Sequence, residues 1–252
     1  MPPSGYALEG FACFLTTFTP STITRFDLGK AATTSATGVK TYTCTTCKTT
    51  KTESIAKLPQ PAKKILVAKA IASGSTAADI SWNNISADRY TVYMAPCNSK
   101  SKTYKYKKLK TVNGKTYKYK ASKLSKNTFY RVYVVAEKKS GKTYKKLATS
   151  SVAYFTSGNV SGSYTNPKAL TLKKSSISLA KGKSYKLSGT VTKVYPKKKL
   201  AGYAKNMRFI SNNTSIATVD ANGKITAKSK GSCTIYVQTI NGIWKTCKIT
   251  VK

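Results

Sequence analysis

The sequence has no histidine and few acidic residues. Its 252 residues include 7 aspartates and glutamates against 45 lysines and arginines, which gives a formal net charge of +38. Histidine is the commonest general base and metal ligand in proteins, and the acids form no close pair of carboxylates along the chain. Motifs for phosphate-binding loops, serine nucleophiles, EF-hands and zinc proteases are also missing. We therefore expect a protein that is not an enzyme and uses no cofactor.

Arginine is scarce as well, since four of the basic residues are arginines and the rest are lysines. Arginine recognises phosphates and bases in a bidentate way, whereas lysine is a strongly hydrated point charge. A lysine surface either stays solvated or attracts anionic cell-wall polymers and glycans without sequence specificity. Nucleic acid is expected, at most, as a non-specific partner. The four arginines are Arg25, Arg89, Arg131 and Arg208.

Long hydrophobic runs are missing too. No segment approaches the roughly 20 apolar residues of a membrane-spanning helix. Residues 6–18 are mildly apolar, but they include Glu9 and follow no basic residue, so they make a poor signal peptide. An extracellular location must therefore be inferred from the domains.

From residue 65 onward, apolar and polar residues alternate with the period of two that is typical of strands. Examples are Ile80 with Trp82 and Val132 with Val134, and turn signals such as Asn113-Gly114 separate the runs. The pattern predicts an all-β protein of two tandem immunoglobulin-like β-sandwiches with a small irregular or hairpin N-terminal region. The expected organisation is an unassigned segment 1–29, a short Cys-containing hairpin repeat and linker 30–60, a sandwich 61–157, a linker 158–168 and a sandwich 169–252.

The last two strands predict their own register. A three-residue loop, 240–242, with its glycine in the left-handed region would align the inward faces of the flanking strands. In that register Cys247 faces Ile235, and Cys233 lies diagonally at roughly 7–8 Å. Because that separation is too long for an easy disulfide, both cysteines are expected to be buried, apolar thiols.

Residues 65–156 resemble a fibronectin type III domain. The resemblance is carried by Trp82 and by the run LSKNTFYRVYVVA, which begins at Leu124. It implies that Trp82 and Leu124 lie in the core and that Tyr130 forms the corner that locks a loop in this family. No Arg-Gly-Asp triplet is present, so the integrin-binding use of the fold is not expected.

Residues 169–252 resemble the bacterial Ig-like domain of group 2. The carrying segments are RFISNNTSIATVDANGKITA, which begins at Arg208, and KGSCTIYV, which begins at Lys230. They contain Gly223 and Gly231 at the turn positions of the family pattern. Members of the family occur in bacterial surface adhesins, wall-associated proteins and phage structural proteins, so the resemblance implies an extracellular or cell-surface protein.

Residues 31–55 resemble a short Cys-containing repeat of surface proteins from anaerobic Gram-positive bacteria. Cys44 and Cys47 match the repeat, whereas its first cysteine and its histidine are missing. A structural zinc site needs four N or S ligands, and Cys13 is the nearest further thiol. We predict no metal site, and Cys44 and Cys47 are only weak candidates for metal ligands. The alternatives for these two cysteines are a local disulfide and free thiols.

Two runs alternate tyrosine with lysine and form the candidate ligand-binding site. On a strand, such a run places tyrosines on one face and lysines on the other. The aromatic face could stack on sugar rings or on single-stranded bases, and the lysines could attract an acidic polymer. In the other reading the tyrosines pack inward and the lysines prevent edge-to-edge aggregation. The candidate residues are Tyr104, Lys105, Tyr106, Lys107, Tyr117, Lys118, Tyr119 and Lys120.

Two functions follow from these observations. The first is a non-catalytic, modular cell-surface protein whose domains act in adhesion or as spacers. The alternative is a lysine-rich binding module for anionic polymers, such as wall teichoic acid, an acidic glycan or, without specificity, nucleic acid.

Overall fold

The computed structural model describes residues 23–44, 48–58, 60–97 and 104–252. The chain divides into two compact units, residues 1–60 and 61–252. Within the described ranges regular structure is almost entirely strand, which confirms the all-β prediction, and one short 3-10 turn spans Ser157–Asn159. No helix in those ranges is long and apolar enough to cross a membrane.

The first unit contains an antiparallel sheet of order β1-β2-β3, with β1 (Ile23–Lys30), β2 (Gly38–Cys44) and β3 (Thr50–Ile55). The hairpin β2–β3 lies in the segment that resembles the Cys-containing repeat, and β1 adds a third strand from the segment before it. Cys13, Cys47 and the side chain of Cys44 lie outside the described residues, as does the metal prediction that concerns them. The described side chains form no group of three or more histidine, cysteine or acidic residues that could hold a metal.

The first sandwich has two antiparallel sheets. One has the order β4-β5-β8; the other has the order β10-β9-β6-β7, with β11 also paired to β9. Apolar residues face inward at alternate positions in the first part of β9, where Val132 and Val134 are fully buried. The strands are β4 (Ala68–Ala72), β5 (Ala78–Trp82), β6 (Arg89–Pro96), β7 (Lys107–Asn113), β8 (Lys118–Ala121), β9 (Phe129–Ser140), β10 (Thr143–Thr149) and β11 (Ala153–Thr156).

The structural residues that the fibronectin type III resemblance implies all lie in this core. Trp82 and Leu124 are buried. The hydroxyl of Tyr130 accepts a hydrogen bond from the Ser125 backbone N–H at 2.9 Å, which forms the expected corner. The hydroxyl of Tyr90 accepts in the same way from the Ile85 N–H at 3.2 Å. Each tyrosine therefore fixes the loop that precedes its own strand.

The second sandwich contains a four-stranded sheet, β15-β23-β22-β19, a three-stranded sheet, β16-β21-β20, and the pair β14-β17. A small sheet of order β12-β13-β18 precedes and flanks it. The strands are β12 (Val160–Ser161), β13 (Tyr164–Thr165), β14 (Pro167–Leu172), β15 (Ser176–Leu179), β16 (Ser184–Lys186), β17 (Gly189–Lys193), β18 (Lys199–Leu200), β19 (Arg208–Ser211), β20 (Ala217–Val219), β21 (Lys224–Ala227), β22 (Gly231–Gln238) and β23 (Trp244–Val251).

The final hairpin has the predicted register. Ile235 lies opposite Cys247, and Cys233 lies opposite Ile249. The loop between β22 and β23 places Gly242 at φ +84°. Both cysteines are buried and free, and burial raises the pKa of each thiol. The prediction of buried, unpaired thiols is confirmed.

Gly223 and Gly231 both have backbone conformations that favour glycine, and both are closely packed. Gly223 has φ +85°, and a Cβ atom there would lie 2.5 Å from the Leu187 carbonyl oxygen. Gly231 has φ +138°, and its Cβ would lie 3.0 Å from the Ile216 side chain. The conformation and the tight packing together explain why glycine is needed at these turns.

Residues 158–168, which the sequence predicts as a linker, are ordered against the sandwiches. Asn166 is buried, and its amide bridges to the first sandwich by accepting from the Thr156 N–H and donating to the Thr156 carbonyl, both at 2.8 Å. β13 pairs in parallel with β18. β18 lies in the lysine-rich segment 195–205 between β17 and β19, which looks like an insertion into the family pattern of the second sandwich and is called the insertion 195–205 below. The two sandwiches are therefore joined by a packed connection.

Candidate functional site

The two sandwiches meet through the loop between β22 and β23. The Asn241 carbonyl accepts a hydrogen bond from the Ala70 N–H of β4 at 2.9 Å, and the Ile240 carbonyl accepts from the Tyr154 N–H of β11 at 2.7 Å. Gly242 approaches the backbone of β4 so closely that a side chain could not be placed there. This loop therefore docks on the first and last strands of the preceding sandwich.

Arg208 of β19 strengthens the same junction. Its guanidinium donates to the Val152 carbonyl of the first sandwich at 2.7 Å and to the Thr239 carbonyl of the second at 2.8 Å. Burial lowers the pKa of this guanidinium. The group stays charged because the pKa of an arginine lies far above neutral pH. Because charged hydrogen bonds to carbonyls are among the stronger ones, Arg208 acts as a clamp between the domains. We call the contacts of Arg208 and loop 239–242 the domain junction.

The outer face of the sheet β10-β9-β6-β7 carries aromatic side chains where a solvated sheet usually carries polar ones. Tyr93 of β6 stacks on Tyr133 of β9, with ring centroids 5.1 Å apart. The ring of Tyr106 meets Tyr133 edge-on at 4.7 Å. All three rings are half-buried, so parts of them remain open to solvent.

Arg131 of β9 lies among these rings. Its guanidinium carbon is 3.8 Å from the ring centroid of Tyr104 and 5.3 Å from that of Tyr154, and the group also donates a hydrogen bond to the Tyr106 hydroxyl. Guanidinium stacking on aromatic rings combines cation–π attraction with a planar fork of donors. Among the described residues, no carboxylate pairs with Arg131.

The row of rings continues into the region between the sandwiches. Tyr154 stacks on Tyr203 of the insertion 195–205 at 5.7 Å. Tyr203 contacts Phe129 at 5.1 Å, and Phe129 contacts Tyr164 at 6.0 Å. We call this connected set the aromatic track: Tyr93, Tyr104, Tyr106, Phe129, Arg131, Tyr133, Tyr154, Tyr164 and Tyr203.

The two Tyr/Lys runs of the sequence separate in the fold. Tyr104 and Tyr106 precede β7 and join the aromatic track, while Lys105 and Lys107 are exposed beside them. Tyr104 and Tyr106 are not on a strand, as the alternation would require, because β7 begins only at Lys107.

The second run lies on the other sheet of the sandwich. Tyr117 and Tyr119 pack against the core, and Tyr117 meets the buried ring of Tyr90 at 5.9 Å. Lys118 and Lys120 alternate outward from β8 and are exposed. Tyr117 and Tyr119 therefore follow the inward-packing reading, and their lysines lie on the face opposite the aromatic track.

Burial favours the neutral form of three phenols of the track. Desolvation raises the pKa of Tyr106, Tyr133 and Tyr203 above the ordinary value of 10. The neighbouring thiol of Cys97 responds in the same way, since burial raises its pKa to about 11. These three tyrosines therefore offer uncharged hydroxyl groups beside the guanidinium of Arg131.

Strand alternation in the sequence predicts part of the aromatic track, although the two Tyr/Lys runs do not contain this signal. Val92 and Met94 point inward on β6, so Tyr93 between them must point outward; on β9 the same argument applies to Arg131 and Tyr133. Tyr154 and Tyr203 carry no such signal, because their meeting depends on how the two sandwiches dock.

Comparisons with known proteins match parts of this architecture. Residues 168–243 match the family of the bacterial Ig-like domain (group 2). A search of curated proteins finds none that matches this chain. Among solved structures, the chain is similar to a fibronectin type III domain of human contactin 1, with 14% identity and a TM-score of 0.31 over 43% of this chain and 89% of that one.

Two larger structures are also similar. A segment of two fibronectin type III domains from chicken tenascin has 15% identity and a TM-score of 0.29, over 76% of this chain and 99% of that one. Domains 1–6 of the surface layer protein SbsC have 14% identity and a TM-score of 0.29, over 90% of this chain and 34% of that one. Residues 168–243 thus match the bacterial Ig-like domain (group 2), and the sandwich before them has the tyrosine corner that the resemblance of its sequence to fibronectin type III domains implies.

Proposed function

We propose that this chain is a non-catalytic, modular protein of the bacterial cell surface, in which the paired sandwiches form a stiff spacer that presents an adhesive face. The observation that carries the proposal is the domain junction. A spacer must resist bending between its domains, and the clamp of Arg208 together with the docked loop 239–242 supplies direct backbone contacts across the boundary. Relative motion is the default expectation for adjacent domains unless their interface restrains it.

The state of the described carboxylates supports a role without catalysis. Glu137 forms a bidentate pair with Arg89, and Asp88 pairs with Lys138 at 2.9 Å. Asp220 accepts from the backbone N–H groups of Asn222 and Lys224 in a turn. These three acids are thus engaged in holding turns and strands, whereas carboxylates that work as a catalytic acid–base pair have divergent pKa values and face a shared substrate site.

Stiffness can be measured with spin labels on unnatural amino acids at Lys142 and Lys181, which are exposed turn positions in the first and second sandwich. We expect one narrow distance distribution for the full chain and a broad one for Arg208→Met. Lys186→Met, which removes an exposed charge from β16, should leave the distribution narrow. A broad distribution in the parent chain would contradict the spacer proposal.

Surface location has its own test. A lysine-reactive reagent that does not cross membranes should label the chain on intact cells that produce it. Protection of the chain until the cells are lysed would contradict this part of the proposal.

A further inference from the structure

We propose that the aromatic track binds a linear acidic polysaccharide, with sugar rings stacked on the tyrosines and a carboxylate of the polymer paired with Arg131. The inference rests on the proposed adhesive function and assigns it a surface and a class of ligand. The track offers two groups of ring contacts, 4.7–6.0 Å between centroids, one on the sheet and one that extends to Tyr203, and the guanidinium of Arg131 bridges them through Tyr106 and Tyr154.

The exposure of the rings suits stacking. Tyr164 and Tyr203 are 41% and 38% exposed, and the tyrosines on the sheet are half-buried. Their inner edges are held by neighbouring rings, so little side-chain freedom remains to be lost when a ligand binds. Sugar rings present flat C–H faces to aromatic rings, and neutral phenol hydroxyls can exchange hydrogen bonds with sugar hydroxyls. A linear row of platforms fits a linear polymer.

Arg131 is the residue that selects an acidic ligand over a neutral one. The guanidinium of Arg89 is already paired with Glu137, and that of Arg208 with backbone carbonyls. Arg131 donates to a tyrosine hydroxyl, and among the described residues it has no acidic partner. A guanidinium with free donors recognises a planar carboxylate through two parallel hydrogen bonds. An acid on every sugar is not required, because one such pair fixes the register of the chain.

The sparse charge of the track disfavours nucleic acid. Proteins that bind single strands combine stacking with a cation for most phosphates. Within the described part of the chain, the track holds one cation among eight aromatic residues, and the nearby Lys105 and Lys107 point to solvent. A polymer with many uncharged ring surfaces and few required ion pairs therefore matches the face better.

The test uses the full chain and calorimetric titration with oligogalacturonides of about ten sugars, at roughly 50 and 300 mM salt. Three probes separate the contributions: the methyl-esterified oligomer keeps the rings without the charge, polyglutamate keeps the charge without the rings, and oligothymidylate tests nucleic acid. We expect binding of the oligogalacturonide that persists at the higher salt, and weaker binding of each of the other three.

Variants locate the site. Tyr133→Ala and Arg131→Gln should each weaken binding by about tenfold or more, in line with the stacking and charged hydrogen-bond contributions seen elsewhere. Tyr203→Ser changes an exposed loop residue and should weaken binding without loss of folding. Lys118→Gln combined with Lys120→Gln is the matched control on the opposite sheet, and it should leave the affinity within about twofold.

Several results would overturn the proposal: no binding of the oligogalacturonide, equal binding of polyglutamate, preferred binding of oligothymidylate, or variants of the track that bind as the parent does. Each of these outcomes is independent of the label distances that test the stiff spacer. If the label distances show a rigid pair of sandwiches but the oligogalacturonide does not bind, only the ligand assignment is refuted.

Discussion

Gly242 in the second sandwich lies so close to Ala68 in the first that a Cβ atom on the glycine would come 1.9 Å from the Ala68 carbonyl oxygen. The glycine also has φ +84°. Backbone contact of this kind between two domains is possible only where a side chain is missing. The junction thus depends on one residue without a side chain as much as on the charged clamp of Arg208.

Gly242→Ala should destabilise the junction by about 2–4 kcal/mol, because the left-handed conformation and the clash with Ala68 both oppose it. Gly182 is a matched control, since its φ is +81° but no atom lies within 4 Å of its Cβ position. Gly182→Ala should therefore show only the conformational cost, about 1 kcal/mol. Denaturant unfolding of the full-length variants measures both, and equal losses would mean that the close approach contributes nothing.

Replacement of Tyr90 and of Tyr130 by phenylalanine should lower the free energy of unfolding by different amounts, and the hydrogen-bond lengths do not predict which loss is larger. Tyr90→Phe leaves the N–H of the buried Ile85 without its partner, whereas Tyr130→Phe leaves the N–H of the exposed Ser125, which water can reach. We expect losses of about 2 and about 1 kcal/mol, although the Tyr90 bond is the longer one. Thermal unfolding gives the comparison, with Tyr195→Phe, a change at a 45% exposed side chain, as the neutral control.

Cys97 should be slow to react. Burial raises the pKa of its thiol to about 11 from 9, so at pH 8 the thiolate is about 100-fold rarer in the folded chain than in the unfolded one. In a variant with serine at Cys13, Cys44 and Cys47, the modification rate of Cys97 by a disulfide reagent, followed on its own peptide so that Cys233 and Cys247 are counted separately, should rise about 100-fold in denaturant. Comparable rates in the two states would show that the thiol is not desolvated.

The pair of Arg89 and Glu137 should make the first sandwich sensitive to acid. The hydrogen bonds from Arg89 lower the pKa of Glu137 below 4.5. A lowered folded-state pKa stabilises the fold above the unfolded value, and this stabilisation is lost as pH falls through the folded value. Glu137→Gln should therefore flatten the decline in stability below about pH 4.5.

A double-mutant cycle completes this test. Arg89→Met should flatten the pH profile in the same way, and the double variant should lose no more than either single one. At neutral pH the coupling between the two substitutions should be small but measurable, as for other solvent-exposed ion pairs. Independent effects of the two substitutions would mean that the pair is not an energetic unit.

Much of the fold could be predicted because strand alternation is a local signal. Val132 and Val134 are inward in the sequence pattern and fully buried in the structure, and the loop 240–242 fixes the register of Ile235 against Cys247. Turn chemistry and a period of two are enough for these features. Which strands pair at the edge of a sheet depends on residues that are far apart in the sequence, so it is harder to predict. The strand β1 carries no recognisable pattern.

The candidate site was predictable only in part. The first Tyr/Lys run predicts Tyr104 and Tyr106 as candidate site residues. Tyr154 and Tyr203 join them only through contacts between segments that are distant in the sequence. The same runs also drew attention to Tyr117 and Tyr119, which pack inward, because tyrosine satisfies both an inner and an outer position of a strand.

Arginine was the more informative residue. Each arginine whose side chain is described has a specific partner: Glu137 for Arg89, the rings of the track for Arg131, and the junction carbonyls for Arg208. In a chain whose cations are nearly all lysine, an arginine marks a position where a planar, rigid donor group is needed. Its rarity could have identified these three positions before the fold was known.

The junction also determines how tension would pass through the pair. The Lys63 N–H donates to the Asn212 carbonyl at 2.7 Å, and the Ala70 N–H donates to the Asn241 carbonyl at 2.9 Å. A pull applied at residue 61 therefore loads the second sandwich through these bonds as well as the β4–β5 ladder of the first. Stretching must shear both attachments together, so the first sandwich should extend under force only after it separates from its neighbour.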